Sequence, residues 1–170
     1  MYTGELKVTC QELPEVYKAA RKLGIEGALS KCIELLHVTP DHIQNMVNLY
    51  VSARKLNQLD ATVRAFKIIV ANFERLVMTK EFLDLEINQV VEIFSADEMG
   101  ARSEIIIFLG ALKWINYKYL DREGHINSIF DCIRFGLMNM EEILACFHPP
   151  ILPGIMLRPK IREALLNATW

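Results

Sequence analysis

From Leu13 to Leu166 the apolar residues recur at helical spacing, in short stripes that each stop at a breaker or a cap. Apolar side chains three and four apart line one side of an α-helix, whereas alternate residues line one side of a strand. A chain that repeats the first pattern can bury its stripes only by packing helix on helix, so the expected fold class is all-α. The first stripe is Leu13, Val16, Tyr17 and Ala20, with Pro14 in a tolerated first-turn position and Gly24 as its stop. A second carries Ala28, Leu29, Cys32, Ile33 and Leu36. Thr39-Pro40-Asp41 opens a third helix, whose inner face is Ile43, Met46, Val47, Tyr50 and Val51.

Asn57 or Asp60 then caps a long helix with the stripe Val63, Phe66, Ile69, Val70, Phe73, Leu76 and Val77. Thr79 starts a short helix with Phe82 and Leu83 inward, and residues 86–94 form another with Ile87, Val90, Val91 and Phe94. The strongest helix spans about 103–119; it is rich in β-branched residues but too long for a strand. Its core is expected at Ile105, Phe108, Leu109, Leu112 and either Trp114 or Ile115. Further stripes are Ile126, Ile129, Phe130 and Ile133, then an amphipathic helix over 140–147. Residues 148–154 hold three prolines and a glycine and read as a non-helical linker. A last helix covers 159–167, with Ile161, Leu165 and Leu166. Short loops between successive helices give an array of antiparallel helical hairpins. One segment dissents: Tyr2, Gly4, Leu6 and Val8 alternate with Thr3, Glu5 and Lys7, the pattern of a short strand with no partner elsewhere in the chain.

Several function classes fall away on charge and motif. At 170 residues, net charge −2 and pI about 6.1, the chain lacks the basic surface of a nucleic-acid binder or an anionic-membrane binder. Its most apolar run, 105–112, stops at Lys113, well short of the roughly 18 residues a bilayer demands. The N-terminus is polar at once, and Cys10, Cys32, Cys132 and Cys146 are far apart, so the thiols read as reduced and the protein as cytoplasmic or nuclear. Neither the cysteines nor His37, His42 and His148 fall at zinc-ligand spacing, and no metal or cofactor is expected. No nucleophile motif or phosphate loop is present; Cys132 and His125, seven apart, have no orienting third group. The acidic pairs Asp84 with Glu86, Asp97-Glu98 and Glu141-Glu142 fit helix ends better than acid–base work. In 113–119, Lys113 and Lys118 interleave with Trp114, Tyr117 and Tyr119, which reads as core packing with snorkelling lysines rather than base stacking.

What stands out is an ordered set of residues: Glu104, Phe108, Ala111 and Trp114, then Arg122, then Ile133-Arg134-Phe135. Upstream come 53–59 (Ala-Arg-Lys-Leu-Asn-Gln-Leu), Asn72-Phe73 and 81–85 (Glu-Phe-Leu-Asp-Leu). Together they resemble the BACK domain of kelch-like proteins, and Tyr2-Thr3-Gly4-Glu5 resembles the last strand segment of the BTB domain that precedes BACK in that family. The resemblance implies three segments: 1–36 as the C-terminal part of a BTB domain, 37–147 as the 3-box and BACK helices, and 148–170 as a linker and terminal helix. It explains the orphan strand, whose sheet partners would lie in BTB sequence ahead of Tyr2.

The same resemblance implies a non-catalytic scaffold, the substrate-adaptor subunit of a cullin-RING ubiquitin ligase, with a cullin and a substrate protein as partners. Pro40, Met46, Val47 and Tyr50 would line a cullin groove or serve as plain core. Phe73, Glu104, Phe108, Ala111, Trp114 and Arg134 would be structural. No kelch-blade pattern is visible, so substrate identity is out of reach. The alternatives are a BTB-BACK interaction protein outside ubiquitin transfer, cytoskeletal or transcriptional, and a short isoform that binds partners without recruiting the cullin. With the first two helices short of partners, either self-association or local disorder before about residue 38 is also expected.

Overall fold

In the computed structural model, which describes residues 7–37 and 42–169, every regular element among the described residues is helical. The strand expected over 2–8 lies outside the described residues except for Lys7 and Val8, which carry no regular structure. The chain divides into two compact units, Met1–Ile69 and Val70–Trp170. These are packing units, and their division does not coincide with the family segments expected above.

In the first unit, α1 (Leu13–Leu23) and α2 (Glu26–Leu36) form a hairpin. The turn needs a left-handed residue, and Gly24 supplies it at φ 68. Its N–H and that of Ile25 then reach back to the carbonyls of Arg21 and Ala20, closing the helix end. α3 (Ile43–Lys55) packs on α1 and buries Met46, Val47, Leu49, Tyr50 and Ala53. Ser52 Oγ ties it to the N-terminal segment by donating to the Cys10 carbonyl at 2.6 Å. α4 (Leu59–Ala71) follows, and Arg64 on it donates to the Leu36 carbonyl at 3.1 Å and to His37 Nδ1 at 3.0 Å, a cation at the C-terminal end of α2. Leu23, Ile25 and Leu35 remain exposed on the hairpin.

Two local expectations are corrected here. Asn57 does not cap α4; it adopts φ 54 and terminates α3, with its own N–H on the Arg54 carbonyl and that of Gln58 on Ala53. Asparagine serves both purposes, because its side chain caps and its backbone tolerates the left-handed region. The buried face of α4 in this unit runs through Ala61, Ala65 and Ile69, leaving Val63 exposed and Phe66 half-buried.

The second unit is built around α8 (Glu104–Tyr117), which buries Ile107, Phe108, Gly110, Ala111, Leu112, Trp114 and Ile115. Buried on more than one side, it is the kind of helix that is apolar nearly all round. Before it come α5 (Phe73–Leu76), α6 (Lys80–Leu83) and α7 (Ile87–Phe94). Thr79 caps α6, accepting the Phe82 N–H, as its position predicts. Glu86 and Gln89 close a capping box on α7. After it come α9 (Tyr119–Arg122), α10 (Ile126–Phe130), α11 (Met140–Cys146) and α12 (Pro159–Asn167). Helices α6, α9, α10 and α11 pack on α8, and α12 on α10. The stretch read as a linker is irregular only to Leu152, because Pro153–Leu157 winds into a 3₁₀ turn; proline is tolerated at its start, where no N–H is needed.

Close approach fixes two glycines. A Cβ on Gly110 would sit 3.1 Å from Val77 Cγ1 and 3.4 Å from the Phe73 ring. At Gly100 it would sit 1.9 Å from the Ala71 carbonyl oxygen, while the Gly100 N–H donates to the Val70 carbonyl at 2.9 Å. Backbone cannot swing aside as a side chain can. Gly100→Ala is therefore expected to destabilise by about 1–3 kcal/mol through overpacking. Urea unfolding should show a lower midpoint with an unchanged slope.

Candidate functional site

Trp114 lies near the end of α8, where its indole reaches the loop between α6 and α7. Its Nε1–H donates to the Leu85 carbonyl at 3.1 Å. Arg122, at the end of α9, lays its guanidinium over the indole with 3.6 Å to the ring centroid. The same guanidinium donates to the Trp114 carbonyl at 2.5 Å and to the Leu83 carbonyl at 2.6 Å. One planar cation thus joins α8, α9 and the end of α6. Burial pushes its acidity constant below the usual arginine value, while Asp84, Tyr117 and Asp121 pull the other way.

A second node stands at the other end of α8. The buried Glu104 carboxylate accepts from both the backbone N–H and Nε of Arg134, each at 2.9 Å. Arg134 Nη1 also lies 3.7 Å from Asp97. Next to this pair, Ser103 caps α8 and its hydroxyl donates to Glu142. Glu142 and Asn139 in turn close the capping box of α11, each accepting the other's N–H at 3.0 Å. The Ser103 hydroxyl and the Asn139 N–H hold the Glu142 carboxyl below the ordinary carboxylate range.

The aromatic residues fill the space around α8. Phe108 meets Phe130 edge-on at 5.8 Å and Phe135 at 6.3 Å. Phe73 meets Phe94 edge-on at 5.7 Å, and Phe94 stacks with Phe82 at 6.3 Å. Ala111 is fully buried. Lys113 ends on the Val77 carbonyl at 2.7 Å, the contact of a snorkelling lysine at a helix C-terminus.

The structure therefore joins Glu104 to Arg134, and Phe108 to Phe130 and Phe135, and couples Trp114 to Arg122. Phe73 belongs to the separate Phe82–Phe94 group. Arg122 was visible in the motif but not as a site residue, and the Ser103–Glu142 contact gave no sequence signal at all. Met46, Val47 and Tyr50 are all core in the first unit, at 2, 1 and 0% exposure, so their side chains form no surface there; Pro40 lies outside the described residues. Cys132 accepts a hydrogen bond from Ser95 Oγ at 3.3 Å and donates to the Ser128 carbonyl, while His125 is exposed on a 3₁₀ turn.

Open grooves lie among the described residues. One of about 530 Å³ runs along α4 beside Leu59, Val63, Arg64 and Lys67, and one of about 280 Å³ lies beside Asp97, Met99, Arg102, Glu104, Arg134 and Leu137. Among the described residues no three His, Cys, Asp or Glu side chains converge as metal ligands, and no helix is long and apolar enough to cross a membrane. Burial, with a smaller push from Glu142, raises the Cys146 thiol to about 12. Ellman's reagent on the native protein at pH 8 is expected to leave Cys146 unmodified; fast labelling there would show that this core opens readily.

Comparison with known proteins accounts for the pattern. Human Kelch-like protein 7 is 25% identical over 183 aligned residues, covering 99% of this chain and 31% of that protein. Mouse Kelch-like protein 3 is 25% identical over 144 residues, with 85% of this chain and 24% of that protein covered. Rat Kelch-like protein 17 is 24% identical over 167 residues, with 98% and 26% covered. The chain thus spans about a quarter to a third of the length of these relatives. The family model described as "BTB And C-terminal Kelch" matches residues 46–148, a stretch that includes Glu104, Trp114, Arg122 and Arg134. The chain belongs to the BACK family.

Proposed function

We propose that this chain is the helical middle of a non-catalytic protein-interaction scaffold, the substrate-adaptor subunit of a cullin-RING ubiquitin ligase. The observation that carries the reading is similarity to kelch-like proteins over nearly the whole chain, together with the use made of the polar residues that define the family pattern. Arg122 and the Trp114 indole are aimed at backbone carbonyls, and Glu104 at the Arg134 N–H and guanidinium; they hold helices in register rather than facing a substrate. A spacer needs this kind of internal bracing.

In this reading residues 1–36 derive from a BTB domain, and the 3-box helix pair that would meet the cullin spans about 32–59. Because Met46, Val47 and Tyr50 are buried, they would act by holding α3 in place, and the contact itself would fall to its exposed residues, such as Gln44 and Asn45. The protein would work in the cytoplasm or nucleus. The test is affinity capture of a purified cullin N-terminal half by the tagged full chain. Retention of the cullin supports the adaptor reading; its loss, with the chain folded by circular dichroism, favours a BTB-BACK interaction protein outside ubiquitin transfer.

A further inference from the structure

Three serine or threonine residues stand three positions ahead of an acidic side chain: Thr9 before Glu12, Ser95 before Glu98 and Ser128 before Asp131. This charge spacing suits protein kinases whose substrate groove is basic, since charge pattern is one way such enzymes choose an acceptor. The structure separates the three. The Thr9 hydroxyl donates to Glu12 at 2.8 Å and its N–H does so at 3.0 Å, so that carboxylate is engaged by its own acceptor. Ser128 is inside α10, and Asp131 is bridged to Lys160 at 2.7 Å.

Ser95 differs in its placement, although its hydroxyl is also engaged, at Cys132, and Asp97 lies 3.7 Å from Arg134. It is exposed, it ends α7, and it opens the non-helical stretch 95–103. Acidic residues follow at both the second and third positions, Asp97 and Glu98, and the Asp97 side chain is fully solvated. We propose that Ser95 is a phosphorylation site for an acid-directed serine/threonine kinase. Ser95 Oγ attacks the γ-phosphorus of Mg·ATP and forms the new O–P bond. The bond from that phosphorus to the β,γ-bridging oxygen breaks, ADP leaves with the electron pair, and the hydroxyl proton passes to the kinase's base.

The modification removes a donor and adds charge in an unfavourable place. Ser95 Oγ now donates to Cys132 Sγ at 3.3 Å, a bond across the packed pair α7 and α10. The phosphoryl oxygens have no proton to give at neutral pH beyond a fraction. They bring a charge of about −1.5 to −2 to the negative end of the α7 dipole, two residues from Asp97. Phosphorylation therefore loosens the 95–103 segment from Cys132 and further exposes that half-buried thiol.

The experiment treats the full chain with a recombinant acid-directed serine/threonine kinase and Mg·ATP, and maps phosphate by tandem mass spectrometry. The expected result is one phosphate on Ser95. Incorporation should fall at least about tenfold in Ser95→Ala and in Asp97→Asn/Glu98→Gln, which keeps the hydroxyl, and stay at the wild-type level in Ser128→Ala. Iodoacetamide labelling of Cys132 should rise several-fold on phosphorylation. Phosphate mapped to Thr9 or Ser128, or incorporation undiminished in the Asp97/Glu98 variant, overturns the site. Unchanged Cys132 labelling in the phosphorylated chain overturns the release.

Discussion

Trp114→Ala is expected to lower stability by about 3–5 kcal/mol, the range for removing a large aromatic side chain from a packed core. Trp114 is 1% exposed, and two further losses accompany the cavity. The Leu85 carbonyl loses its indole donor, and the buried Arg122 guanidinium loses the ring on which it rests. For a chain of this length each kcal/mol corresponds to roughly 2–4 °C of melting temperature, so the midpoint should fall by about 6–20 °C. Trp114→Phe separates the contributions. It keeps most of the apolar volume and deletes the N–H, so its cost should be nearer about 1–2 kcal/mol. Thermal unfolding followed by circular dichroism checks both, and a Trp114→Ala midpoint within a degree of wild type would remove this residue from its place at the centre of the second unit.

The position of Trp114 was legible in the ordered motif from Glu104 to Phe135, while the apolar stripe left Trp114 and Ile115 as alternatives and both are buried. Helix α12 was legible from the proline at its start and from Ile161 and Leu165, four apart and both buried, whereas Leu166, expected on the same stripe, is exposed. Where the reading failed, two physical solutions shared one residue type or one pattern. Asn57 might cap a helix or end one, and only the carbonyls within reach decide. The large residues Val63 and Phe66 suggest one stripe, yet the buried side of α4 runs through the small residues Ala61 and Ala65. The break at Asn72 between α4 and α5 has no glycine or proline to announce it. The motif gave the order of the site residues but not their partners. Glu104 and Arg134 are thirty positions apart, and their pairing exists only once α8 and the segment after α10 are packed. The engagement of Ser103 with Glu142 is of the same kind.

Arg122 is where the second large effect is expected. Arg122→Ala removes the donors to the buried Trp114 carbonyl and the half-buried Leu83 carbonyl. An unpaired buried carbonyl costs about 1–3 kcal/mol, so with the packing lost the total should reach about 3–4 kcal/mol. Arg122→Lys should recover little of this, because an ammonium cannot span two carbonyls in a plane or stack flat on an indole. The stacking has its own signature in a double-mutant cycle. Residues in direct contact commonly couple by about 0.5–3 kcal/mol, and the 3.6 Å approach of guanidinium to indole places this pair among them. The Trp114→Ala/Arg122→Ala double variant should therefore be less destabilised than the sum of the singles, by about 1–2 kcal/mol. Should the doubly substituted chain fail to fold, Trp114→Phe with Arg122→Lys gives a milder cycle with the same sign. Additivity within about 0.3–0.5 kcal/mol would mean that Arg122 acts on the carbonyls alone and that the indole face contributes nothing to holding it.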